Sequence, residues 1–491
     1  MPGLPPSFLD LVSRRTFLSR AGMGMGGLAL ASLLGENAIG DSTKASGVSI
    51  PAITLPHFAP LAKRIIFLFM AGAPSQLDLF DYKPMLSKLS GKTADRELLG
   101  DVRFSQIRSR NKNQPSKLLG SPYKFQRHGE SGALVSELLP HFSGVVDDVA
   151  FMKGMRFDDQ VFDHPLAQLK LMTGAPLEGR PSLGAWLSYG LGSENDNLPA
   201  FVVLLSNLLP RGGPGMMGSG FLPSVHQGVP FCCQGDPVLF LSNPQGMTEH
   251  VRRRTVETIN ALNGIRRDLI GDPEISTRIA AFEMAYRMQA SAPELVDFSQ
   301  EPRYIQEMYG AEPGKQSFAN NCLLARRLIE RGVRIVQLVD LDWDHHGDIQ
   351  ARDLMHALPD QCKSVDKALA ALLRDLKQRG LLDETLVVWA AEFGRTPIDE
   401  KRDGSPHLGR DHHPFAGTFW MAGAGVKKGI TLGGTDELGF QSVDNPIDVF
   451  DLQATILHLM GLDHEKFTYR SQGRDFRLTD VAGRVVHELL A

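Results

Sequence analysis

The feature that most constrains this chain is an alternation of short, predominantly apolar runs with long stretches of helical periodicity. The apolar runs span Ile65–Met70, Val149–Met152, Phe201–Leu205, Val333–Val339, Thr385–Ala390 and Thr418–Met421. Runs this short and this rich in apolar residues suit strands buried on both faces, as in a parallel sheet. Between them, Glu249–Ile270, Ile275–Ala290, Phe318–Arg331, Ala357–Arg379 and Ile447–Leu459 carry apolar residues at helical spacing. Parallel strands need crossover connections and helices supply them, so the predicted fold class is α/β, a sandwich with a mostly parallel central sheet flanked by helices.

The N-terminus reads differently. Ser13-Arg14-Arg15-Thr16-Phe17-Leu18 precedes a Gly-rich, moderately apolar run from Ala21 to Leu34, the layout of a signal peptide of the twin-arginine kind. That run is shorter than the roughly twenty residues a spanning helix needs, so no permanent membrane anchor is expected. The expected organisation is a signal peptide over 1–40, a Ser-, Pro- and Ala-rich linker over 41–63 and one α/β domain over 64–491. A Gly- and Pro-punctuated, loop-rich insertion is expected at 206–233, and the location is expected to be periplasmic or secreted. No cysteine precedes Cys232, and four in the whole chain are too few for a disulfide scaffold. A net charge of −4 without a dense basic run argues against nucleic acid as a partner.

Ligands of open α/β sheets bind beyond the carboxyl ends of the strands, and the polar clusters of this chain fall there. Ala71 to Asp78 follows the first run, Asp340 to Asp348 the fourth, and Glu392 to Pro397 the fifth, while His407 to Pro414 precedes the sixth. Asp340 to Asp348 holds four carboxylates and two imidazoles. Asp together with His suits zinc, manganese or iron better than magnesium or calcium. A calcium EF-hand loop is excluded, because the sixth position is His345 and the twelfth Ala351. The other reading of the same residues is local helix capping at the surface. Arg395 has two natural roles: holding an anionic group bidentately, or pairing with Glu392 or Asp411.

Six segments in order, AGAPSQLDLFD (71–81), HGESGALVSELLPH (128–141), Trp343–His346, AEFGRTP (391–397), GRDHHPF (409–415) and QGRDFRLTDV (472–481), resemble the domain of unknown function fifteen-oh-one family of twin-arginine-exported proteins. The resemblance runs from about Arg64 to the C-terminus and implies an alkaline phosphatase/sulfatase-like fold. Where a sulfatase carries its nucleophile this chain has His164 or Asp163, the expected Asp pair falls on Ala71 and Gly72, and Asp-His is replaced by Glu392-Phe393. The resemblance therefore implies a remodelled cage. Its expected metal ligands are Asp344, His346, His412 and His413, with Asp342 and Asp78 as further candidates. Glu392 or His164 is the expected general base and Arg395 the anion clamp.

Two functions follow as expectations. One is a metal-dependent hydrolase of sulfate or phosphate esters, its substrate an anionic ester or polysaccharide and its nucleophile a water activated by zinc, manganese or iron. The alternative is a non-catalytic envelope binding or assembly protein that reuses the fold.

Overall fold

The computed structural model describes residues 56–94, 116–157, 161–238, 241–243, 246–400 and 402–491. The expected signal peptide (1–40) and residues 41–55 of the expected linker lie outside them.

The strands of the main sheet are β1 (Arg64–Met70), β2 (Val149–Arg156), β3 (Phe201–Leu205), β4 (Val229–Phe231), β5 (Ile335–Asp340), β6 (Thr385–Ala390), β7 (Gly417–Gly423), β8 (Ile430–Leu432) and β9 (Ile447–Asp448). Their order is β8-β2-β7-β6-β1-β5-β3-β4, with β9 also paired to β2. Pairing is parallel throughout except around β7, which runs antiparallel to both β2 and β6. The expected α/β architecture, a mostly parallel sheet flanked by helices, is the architecture observed. The central strands β1, β5 and β6 have almost no exposed side chain, which is why they read as predominantly apolar runs.

The flanking helices include α1 (His164–Thr173), α2 (Leu183–Leu191), α3 (Glu249–Ile270), α4 (Pro273–Val296), α5 (Phe318–Glu330), α6 (Ala357–Gln378) and α7 (Val449–Leu459). Several expected boundaries move, two of them through a helix end. Val333 lies in the turn that closes α5 and not in β5, because Gly332 turns left-handed there and the Val333 amide donates to the Leu328 carbonyl, the kind of bond that closes a helix C-terminus. Ile447 belongs to β9, and the next residue, Asp448, caps α7 through a reciprocal capping box with Asp451. The 206–233 segment is not all loop: it holds two short 3-10 turns, Gly213–Met217 and Ser224–His226, and ends in β4.

An aromatic cluster fills the core on one side of the sheet. Trp389 and Trp420 stack with ring centres 6.2 Å apart, and Phe80, Phe142 and Phe151 close around them. The register matters most for function. Met70 lies opposite Asp340 and Phe69 opposite Ala390, so β1, β5 and β6 finish on one rim, and the loops that leave them must meet there.

Candidate metal centre

Four side chains converge above that rim. Asp344 leaves the loop after β5, His346 follows two residues on, His164 opens α1, and His412 lies in a two-residue ladder in which Gly394–Arg395 pairs with His412–His413. The loop after β1 can pass close beneath them because residue 72 is glycine: a Cβ there would sit 2.7 Å from the Asp344 amide nitrogen, at a φ of +110°.

The four groups share one focus. Asp344 Oδ1 is 2.8 Å from His346 Nε2, 3.0 Å from His164 Nε2 and 3.5 Å from His412 Nε2, and the Nε2 atoms of His346 and His412 are themselves 3.0 Å apart. The opposite nitrogen of each ring is held from behind. His164 Nδ1 meets Glu392 Oε1 at 2.6 Å, His346 Nδ1 meets the Glu400 carboxylate, and His412 Nδ1 donates to the Phe162 carbonyl at 2.6 Å. A carbonyl can only accept, so Nδ1 of His412 carries its proton, and the Nε2 of the neutral ring is a bare lone pair. Oriented imidazoles backed by carboxylates and a carbonyl are what metal ligation requires.

The electrostatics of Asp344 and His412 agree with this reading, and those of His164 favour the protonated ring. Burial favours the protonated form of Asp344, but the Arg395 guanidinium and the three imidazoles outweigh it and hold the carboxyl well below the usual range. Burial alone would lower His164, yet its bonds to Asp344 and Glu392 raise it. Burial, with Arg395 and the neighbouring rings, pushes His412 down to about 3. Three nitrogens and one oxygen, all within 4.8 Å of one another, fit a tetrahedral transition ion, whose bonds of about 2.0–2.2 Å place donors roughly 3.4 Å apart.

The remaining expected site residues fall elsewhere. His413 is in the same two-residue strand as His412, and neighbouring strand residues project to opposite faces. Its Nε2 lies 2.5 Å from the Phe440 carbonyl, and burial lowers it to about 4. Asp78 is wholly buried in a bidentate pair with Arg410, at 2.7 and 3.0 Å, which corrects the expectation of a ligand. Asp342 accepts from Asn207 at 3.1 Å and faces the adjoining cavity instead of the focus. Arg395 does not serve as an anion clamp. Its guanidinium is committed to the carbonyls of Ala73, Arg410 and Gly72 and to Asp344 Oδ1 at 2.6 Å, so its partner is neither Glu392 nor Asp411.

Glu392 is fully buried, and its Oε1 accepts from the Gly72 amide at 2.9 Å, Gln168 at 2.8 Å and His164. It therefore orients His164 and has no path to a bound molecule. His164 in turn stands within the ligand set, and the general-base role expected for either residue does not fit its position.

Beside the focus is a cavity of about 270 Å3 lined by Gly72, His164, Gln168, Arg211, Asp342, Asp344 and Arg352, with Leu208, Leu209 and Leu341 on its apolar side. Arg211 reaches 3.5 Å from Asp344 Oδ2 and stays largely exposed. Sequence reading missed Arg211, Glu400 and Gln168. Arg211 is the arginine of the Gly/Pro-rich loop, its only local signal, while Glu400 and Gln168 carry none.

A model of the family described as "Protein of unknown function (DUF1501)" matches residues 62–490. No curated protein matches the sequence. Among solved structures the chain is similar to a protein in the alkaline phosphatase superfamily from Vibrio parahaemolyticus, at 10% identity and a TM-score of 0.35, covering 89% of this chain and 76% of that one. It is similar to Ps i-CgsB in complex with k-i-k-neocarrahexaose, at 11% identity and a TM-score of 0.33, covering 82% and 72%. It is also similar to a TAB5 alkaline phosphatase mutant with Mg bound, at 11% identity and a TM-score of 0.32, covering 82% and 99%. The fold class seen in the chain itself is the expected α/β sandwich with a mostly parallel central sheet.

Proposed function

The chain belongs to the DUF1501 family, and from that premise we propose that it is a metal-dependent hydrolase of sulfate or phosphate esters, exported by the twin-arginine route. One observation carries the reading: the Nε2 atoms of His164, His346 and His412 face a single Asp344 oxygen while each Nδ1 is held from behind. Those four residues would hold zinc, manganese or iron. Such an ion, when bound, supplies Lewis acidity and lowers the pKa of water to near neutrality.

The chain's own residues supply the rest. Glu392, Glu400 and the Phe162 carbonyl keep three Nε2 atoms aimed at the focus, and Arg395 balances the Asp344 charge. Arg211 and Arg352 give the cavity cationic walls for an anionic ester, and Asp342 is the cavity carboxylate placed to accept a proton from water. No Ser, Thr or Cys is among the described residues lining that cavity. Water is the nucleophile of the proposed reaction: its oxygen bonds to sulfur or phosphorus as Asp342 takes one of its protons, the ester bond to the alcohol oxygen breaks, and that oxygen leaves with the proton Asp342 returns.

Elemental analysis of the mature protein from its native host, beside a His346→Ala/His412→Ala variant, tests this. Stoichiometric zinc, manganese or iron that the variant loses, together with ester release that disappears with it, is the expected result. A wild-type protein without metal overturns it. The second reading, binding without turnover, is favoured by the commitment of Arg395 to backbone carbonyls and Asp344, which leaves the anion to exposed arginines. Tight glycan binding without ester release, unaffected by chelator, would establish that reading instead.

A further inference from the structure

A second group of donors lies outside the centre. Asp353, His356 and His407 bring one ligand atom each to within 4.8 Å of one another. Asp353 Oδ2 is 2.7 Å from His356 Nδ1 and 3.2 Å from His407 Nδ1. The carboxylate is 1% exposed and cannot turn away, because its other oxygen accepts from the amides of Met355 at 3.1 Å, His356 at 2.7 Å and Ala357 at 3.1 Å. Both imidazoles reach solvent, with 56% and 29% of their side chains exposed. The rings come from different segments: His356 stands just before α6 and His407 on the stretch leading to His412. One oxygen facing two ring nitrogens, with solvent on the remaining side, repeats in smaller form the chemistry of the main centre.

We propose that Asp353, His356 and His407 form a separate, solvent-open site for a borderline transition cation of the zinc class. Two imidazole nitrogens and one carboxylate oxygen suit such a cation better than calcium or magnesium, and the open side admits water as a further ligand. The site has a structural consequence. Asp353 follows the loop that carries Asp344 and His346, and His407 precedes the strand that carries His412. The two segments already touch through Leu354 N to Leu408 O at 3.0 Å and Arg410 N to His345 O at 3.1 Å. A cation shared by Asp353, His356 and His407 clips the two ligand-bearing segments together and restrains the donors of the main centre.

Zinc is the probe. The metal-stripped full chain is titrated with zinc by calorimetry and its retained metal counted after gel filtration, for wild type, His356→Ala/His407→Ala and His346→Ala/His412→Ala. The expected result is a wild type that takes up one equivalent more than the outer variant, while the inner variant keeps the outer equivalent. An outer variant with the stoichiometry of wild type overturns the proposal and leaves the main centre intact as a reading. Loss of metal only in the outer variant overturns the main centre instead. A measurement on the unmutated chain guards against a variant that fails to fold: zinc beyond the first equivalent should protect His356 and His407 from carbethoxylation by diethyl pyrocarbonate, read by peptide mass spectrometry. Labelling of both that is undiminished by zinc overturns the proposal.

Discussion

Each imidazole of the centre is anchored at one nitrogen so that the other is free, and Glu392 is the anchor whose removal is most informative. Gln at 392 still accepts from the Gly72 amide but brings no charge to His164 Nδ1. Outer-shell changes of this kind lower metal affinity by about 10–100-fold. Glu392→Gln is expected to do so in a competition titration against a chromophoric chelator, and an unchanged affinity would contradict the orienting role. Asp340 makes a different residue-scale prediction. Burial pushes its carboxyl up to about 7, against the pull of hydrogen bonds from Trp343 and Gln361. A raised acid disfavours the folded state as it ionises, so stability falls as pH rises from the unfolded value of 3.8 and levels off above the folded value. The slope is at most about 1.4 kcal/mol per pH unit. Comparing melting of metal-free wild type and Asp340→Asn at about pH 5 and about pH 8 should show the larger alkaline loss in wild type; equal losses would refute the assignment.

At the scale of elements, the centre depends on segments that approach too closely for side chains. A Cβ on Gly409 would lie 1.9 Å from the His346 carbonyl carbon, so Gly409→Ala must push apart the segments bearing His346 and His412. Calorimetric melting and bound-metal analysis of this variant are expected to show a lower Tm together with lost metal. Gly264 is the contrasting case, set inside α3 with nothing within 4 Å of the place a methyl group would occupy. Alanine is the better helix former, and Gly264→Ala is expected to raise stability by about 0.5–1 kcal/mol in denaturant unfolding, with metal content unchanged. The same scale explains the paired histidines. Two adjacent imidazoles looked like two ligands in sequence, but a β-ladder sends His412 to the focus and His413 to the Phe440 carbonyl.

For the whole molecule, the proposed activity requires delivery outside the cytoplasm, and the N-terminal segment makes that testable. A reporter fused to residues 1–45 should be exported, and Arg14→Lys/Arg15→Lys should abolish export in cell fractionation; a reporter retained in the cytoplasm in both cases would remove that part of the proposal.

The alternation of apolar runs and helical stretches determined the α/β class, because parallel strands buried on both faces are built from near-continuous apolar residues and joined by crossovers. It also placed the polar clusters after β1, β5 and β6, since register puts the ends of parallel strands on one rim. Composition therefore put Asp344, His346, His412 and His413 forward as candidate ligands, and the first three of these share the focus. The tertiary structure alone decided which groups face one another. His164 and Glu392 are 228 positions apart, Asp78 finds its charge partner in Arg410, and Arg395 is drawn away from any ligand by backbone carbonyls. A ligand set is defined by distances of a few ångströms between atoms that chain spacing does not relate, and only the packing of α1, the 394–413 ladder and the loop after β5 brings those atoms together.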